Sequence, residues 1–157
     1  MTTTPTAAAS GATAAGSHTR LHGSLLAAPE KRALVWMAQR MPAPVNSDHL
    51  SALGLVSMAG VGVSFWLSGT HPAVGIPLVV VCLALNWFGD SMDGTLARVR
   101  NRLRPRYGFY LDHVIDIAGT AMMLAGLAAS GHMDPLIAAV TLAAWLLVMG
   151  ESFLATA

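Results

Sequence analysis

Charge is what this chain has least of. Only 11% of its 157 residues are Asp, Glu, Lys or Arg, against 54% hydrophobic, whereas soluble domains carry about 25% charged residues. A single cysteine, Cys82, lies inside an apolar run, which excludes a disulfide framework and a cysteine metal site; it reads as a small buried hydrophobe. Residues 1–29 are rich in Ala, Thr, Ser and Gly and lack the apolar block a secretory signal needs. They read as a disordered tail. Nucleic acid is not an expected partner.

Four long apolar stretches fill the remainder: about Leu50 to Leu67, Ala73 to Gly89, Gly108 to Gly131, and Pro135 to the chain end. Each approaches the roughly 20 residues that carry a helix across a bilayer. None shows the polar face that a helix bundle in water requires. The expected fold is therefore all-α, a polytopic membrane bundle of four transmembrane helices. Asn46, Ser47 and Asp48 are suitable N-caps for the first span. Pro135 suits the first turn of the fourth.

The few charges are placed unevenly. Arg20, Lys31, Arg32 and Arg40 precede the first span, and Arg98, Arg100, Arg102, Arg104 and Arg106 fall between the second and third. The breaks at 68–72 and 131–134 contain no Lys or Arg. The positive-inside rule then puts the N-terminus and the Arg-rich loop in the cytoplasm. Residues 30–42 read as an amphipathic helix lying flat on that membrane surface. Ala33, Leu34, Met37 and Met41 share its apolar face, Trp36 sits at the interface, and Pro42 ends it.

Half of the acidic residues, Asp90, Asp93, Asp112 and Asp116, fall at the same ends of the second and third spans. A carboxylate inside a membrane helix costs about 2.5–3.5 kcal/mol on insertion scales and usually marks function. Asp90, Asp93, Gly94 and Ala97 share one helix face, as do Gly108, Asp112 and Asp116 on the next. At about 1.5 Å per residue, an antiparallel hairpin brings all four carboxylates to nearly one depth. Such an oxygen-only cluster suits hard cations, Mg²⁺ or Mn²⁺, with enough donors for two ions that would clamp a phosphoryl group. Arg98, one turn past Gly94, is placed to meet a phosphate.

Written out, the stretch is Asp90-Ser-Met-Asp93-Gly94-Thr-Leu-Ala97-Arg98, nine residues, Gly108, three residues, Asp112, three residues, Asp116. It closely resembles the signature of the CDP-alcohol phosphotransferases, D-x-x-D-G-x-x-A-R followed by G-x-x-x-D-x-x-x-D, with every defining position filled. The gap after Arg98 is one residue longer than usual and falls in a loop. The resemblance covers about residues 30–157 and implies a metal-dependent transfer of a phosphatidyl-type group from a CDP-alcohol, such as CDP-diacylglycerol, to an acceptor alcohol or alcohol phosphate in phospholipid biosynthesis. It implies that Asp90, Asp93 and Asp112 bind the metals and that Asp116 shares the second ion and acts as general base. Gly94 and Ala97 would flank the cytidine, Arg98 would hold a donor phosphate, and Gly108 would allow close helix packing beside the nucleotide. A homodimer in the cytoplasmic membrane, in contact with its lipids, is what the family suggests.

Members usually have six spans, so residues 46–157 are expected to form the family's transmembrane domain without its last two helices. A shortened member that binds metal and nucleotide without turnover is the alternative reading. A membrane prenyltransferase would need a second Asp-rich motif several helices later, and none is present. The loop arginines read equally as topology signals and as ligands for phosphate or anionic lipid. Glu151 returns to the level of the aspartates. His113 points about 100° away from Asp112. Asn86 and Trp87 read as packing or interfacial residues, and the methionines as apolar filling.

Overall fold

The computed structural model describes residues 27–156, all helical apart from short connections. Helix α1 spans Ala27–Arg40, α2 Ser47–Ser68, α3 Pro72–Val99, α4 Pro105–Ala129 and α5 Pro135–Thr156. The expected tail over residues 1–26 lies outside the described residues; residues 27–29 form the start of α1. Helices α2 to α5 are each long and apolar enough to cross a membrane by length and composition.

Local chemistry sets the ends. The Asn46 side chain accepts from the His49 N–H at 3.0 Å, and His49 Nδ1 accepts from the Asn46 N–H at 3.4 Å, a reciprocal cap with His in place of the usual Glu or Gln. Helix α3 does not stop near Gly89 but continues to Val99, so the entire first half of the aspartate motif rides on one unbroken helix. It ends where Asn101 takes a left-handed φ of 53°. The Arg102 N–H then bonds the Ala97 carbonyl at 2.8 Å, closing a Schellman-type turn in which Asn is the best-tolerated residue after Gly. Pro105 opens α4 at a position where its missing N–H costs nothing.

Helix α2 is the centre of the bundle. Helices α3 and α4 each pack on it and scarcely on each other; α5 packs on α4 and α1 on α3. Apolar burial drives little association among helices already in lipid, so small residues that admit close backbone approach do the work. A Cβ added at Gly126 would strike the Gly62 carbonyl, and one at Gly89 would lie 2.7 Å from the Leu50 carbonyl. Ser57, Ser64 and Ser68 are buried along α2, and Ser64 and Ser68 donate their hydroxyls to backbone carbonyls of their own helix at 2.6 Å. Large side chains point outward instead, among them Ile76 and Val80 on α3 and Leu136 and Leu147 on α5. So broad an apolar surface suits lipid and not water.

The apolar stripe of helix α1 packs on protein. Leu34 and Ala38 are buried against Leu50, Met92 and Leu96, with Met37 and Met41 packed around them. Ala33, expected on that face, is exposed. The apolar stripe has found a protein partner at the charged end of α3. Trp36 stays outside, 54% exposed, with the Arg40 guanidinium 4.1 Å from its ring centre. Arg100 secures the linker behind α1: its guanidinium donates to the carbonyls of Met41 and Pro42, each at 2.9 Å, and to that of Val45.

Candidate active site

Because α3 and α4 lean on α2 rather than on each other, a gap opens between them at the charged end. It forms a cavity of about 380 Å³. Asp90, Asp93, Gly94 and Ala97 line it from α3; Gly108, Asp112 and Asp116 line it from α4. Two helix faces inferred from spacing thus meet across one space. A Cβ at Gly94 or at Gly108 would meet nothing within 4 Å. Both glycines therefore present bare backbone to the cavity, and Gly108 is not the helix-packing glycine it was expected to be. That task falls to Gly62, Gly89 and Gly126.

The first turns of α2 supply groups that spacing did not indicate. Ser51 Oγ donates to Asp93 Oδ2 at 2.8 Å, and Ser47 Oγ donates to the Asp93 backbone carbonyl at 2.9 Å. The Gly94 N–H also donates to Asp93 Oδ1. Asp93 is thereby fixed, whereas Asp90, Asp112 and Asp116 accept no hydrogen bond from a side chain among the described residues. The only trace in the sequence was that Ser47 and Ser51 stand one turn apart at the depth of the aspartates.

Four carboxylates round one cavity match the donor chemistry of a hard divalent cation. Among the described residues no three Asp, Glu, His or Cys side chains are gathered tightly enough to hold an ion as they stand. Asp93 has both oxygens engaged. The fit therefore lies in the donor set, all oxygen, and not in a gathered shell.

Arg98 is exposed and does not line the cavity. It sits about 100° round α3 from Ala97, on the flank of the face that looks inward. The guanidinium groups that do line the cavity are those of Arg102 and Arg104, from the α3–α4 connection. Arg104 pairs with Asp48 at 2.5 Å and lies 4.5 Å from the Tyr107 ring centre. Asn86 also lines the cavity, while Trp87 is half exposed and Glu151 is not part of the lining. His113 turns toward α5: its Nδ1 donates to the Phe109 carbonyl at 3.0 Å, and its ring lies 5.8 Å from that of Phe153.

Apolar spanning helices around a polar, carboxylate-lined cavity define an integral membrane protein with a charged site at one end of its bundle. Comparison with protein-family models matches residues 49–157 to the CDP-alcohol phosphatidyltransferases. The chain belongs to that family, whose members are transferases that take a CDP-alcohol donor and an alcohol acceptor and are generally metal-dependent. No curated protein and no solved structure matches it.

Proposed function

We propose that this chain transfers a phosphatidyl-type group from a CDP-linked lipid, such as CDP-diacylglycerol, to a small alcohol or alcohol phosphate, with release of CMP. The observation that carries the reading is the convergence of Asp90, Asp93, Asp112 and Asp116, with Gly94, Ala97 and Gly108, on one cavity at the charged end of membrane-spanning helices. By the distribution of Lys and Arg, that end and the N-terminus face the cytoplasm. The same argument puts α1 at the inner membrane surface, with Trp36 outward.

Asp90, Asp93 and Asp112 would hold two Mg²⁺ or Mn²⁺ ions, with Asp116 sharing the second. What such ions supply when bound is neutralisation of the phosphoryl oxygens and of the leaving phosphate. The remaining steps fall to the chain itself. Bare backbone at Gly94 and the small Ala97 let the flat cytosine ring lie against α3, with Gly108 open on the opposite wall. Ser51 holds Asp93 in one orientation, and Asp116 accepts the proton of the acceptor hydroxyl. The acceptor oxygen then bonds to the β-phosphorus, the bond from that phosphorus to the CMP oxygen breaks, and CMP departs. Arg98, exposed beside Ala97, would hold a donor phosphate, as the motif it completes implies. A homodimer formed through the outward apolar helix faces would complete the assembly.

The direct test is CMP release from CDP-diacylglycerol by the purified chain with Mn²⁺ and a panel of acceptor alcohols. Acceptor-dependent release that a chelator abolishes is expected. A chain that binds Mn²⁺ and CDP but releases no CMP with any acceptor would overturn the proposal of turnover. Asp90→Ala is expected to weaken Mn²⁺ binding by about tenfold or more, measured by calorimetry; unchanged affinity would remove Asp90 from the metal site.

A further inference from the structure

A second cavity, about 390 Å³, adjoins the first on its outer side. The two share Ser47, Asp48, Ala97, Arg102, Leu103 and Arg104 in their linings, and the charged side chains around them change sign from one to the other. The deep part is bordered by four aspartates. The outer part is bordered by Arg100, Arg102 and Arg104 against the single carboxylate of Asp48.

These three arginines are not equivalent. Arg100 is committed to backbone carbonyls of the α1–α2 linker. The Arg102 side chain makes no hydrogen bond or ion pair among the described residues. Arg104 uses one Nη on one oxygen of Asp48, and the two side chains are 53% and 44% exposed. A half-exposed, single-contact pair of this kind is weak. A phosphoryl dianion offers a guanidinium more charge and two or three oxygens, so it outcompetes a lone carboxylate.

We propose that Arg102 and Arg104 form a phosphate subsite beside the aspartate cavity, and that Asp48 holds Arg104 in reserve until a phosphoryl group displaces it. The ligand carries two negative charges on its phosphate oxygens. Two sources supply that chemistry, the diphosphate of the CDP donor and the phosphate ester of a phosphorylated acceptor. The subsite rests on the transferase reading only for the choice between these sources.

The bridge between Asp48 and Arg104 gives the test a sign. With the chain in zwitterionic phosphatidylcholine nanodiscs and a chelator present, the dissociation constant for inorganic pyrophosphate is measured. Arg102→Gln and Arg104→Gln are each expected to raise it by about tenfold, the loss of a charge-assisted contact; Arg104→Lys recovers part of the loss. Asp48→Asn, which breaks the same bridge but leaves the guanidinium, is expected to tighten binding by about threefold. If the bridge were only a strut between α2 and α4, Asp48→Asn would weaken binding as Arg104→Gln does, and that outcome overturns the proposal. Affinities within twofold of the parent in both glutamine variants also overturn it. Where a glutamine variant does not fold, Asp48→Asn decides alone.

In turnover, a rise in KM confined to a phosphorylated acceptor assigns the subsite to the acceptor. A rise confined to CDP-diacylglycerol assigns it to the donor. Pyrophosphate binding that follows the expected order in a chain releasing no CMP would retain the subsite and overturn the transferase reading instead.

Discussion

Asp116→Asn is expected to reduce acceptor-dependent CMP release by about 10²–10⁴-fold, the usual contribution of a positioned general base, while Mn²⁺ affinity stays within a few-fold of the parent. The asymmetry follows from chemistry. An amide oxygen still donates a lone pair to a cation but has no appreciable affinity for a proton. Asp116 lines the cavity wall facing α3 and accepts no side-chain hydrogen bond among the described residues, so a change confined to its carboxylate leaves the bundle intact. Turnover and Mn²⁺ binding should be measured on the same preparation. Substantial CMP release by the variant would transfer the role of base to another group. A parallel collapse of Mn²⁺ binding would show instead that Asp116 acts chiefly as a ligand.

The largest effect on stability is expected from Gly126→Leu. A Cβ at this position falls on the backbone carbonyl of Gly62, so no rotamer change relieves the clash and α2 and α4 must part. Overpacking costs about 1–3 kcal/mol even where side chains can adjust. The thermal midpoint in detergent should therefore fall by roughly 5–10 °C or more. Gly94→Ala is the contrasting case: its added Cβ meets nothing within 4 Å, so the midpoint should not move while CDP binding weakens. A midpoint unchanged in Gly126→Leu would mean that α2 and α4 do not approach as closely as they stand here.

Fold and site were legible in the sequence to different degrees. Apolar length and the asymmetric arginines announced the four spans, because both are imposed by the bilayer and need no tertiary contact. The shared faces of Asp90, Asp93, Gly94 and Ala97 and of Gly108, Asp112 and Asp116 followed from helical periodicity, and the cavity contains all seven. Contacts between distant helices were not legible. Nothing local tells Ser51 that it will meet Asp93, or Arg100 that it will hold the linker behind α1. An amphipathic stripe such as that of α1 states that an apolar partner exists without saying whether it is lipid or protein; here Met92 and Leu96 are the partner. Arg98 was placed near the phosphate by its position one turn past Gly94; its side chain is exposed and outside the lining of the cavity.

Helices α3 and α4, which carry the two halves of the aspartate set, meet chiefly through α2. Helix α3 is tied to α2 beside the site through Ser47, Ser51 and Gly89, whereas α4 meets α2 in the apolar middle, where Gly62 and Gly126 touch. A change of one methyl group there would act as a lever on the aperture between Asp90 and Asp116 without altering any atom of the site. The width of the cavity would then be tuned from within the apolar middle of the bundle, by substitutions that leave every group lining it as it was.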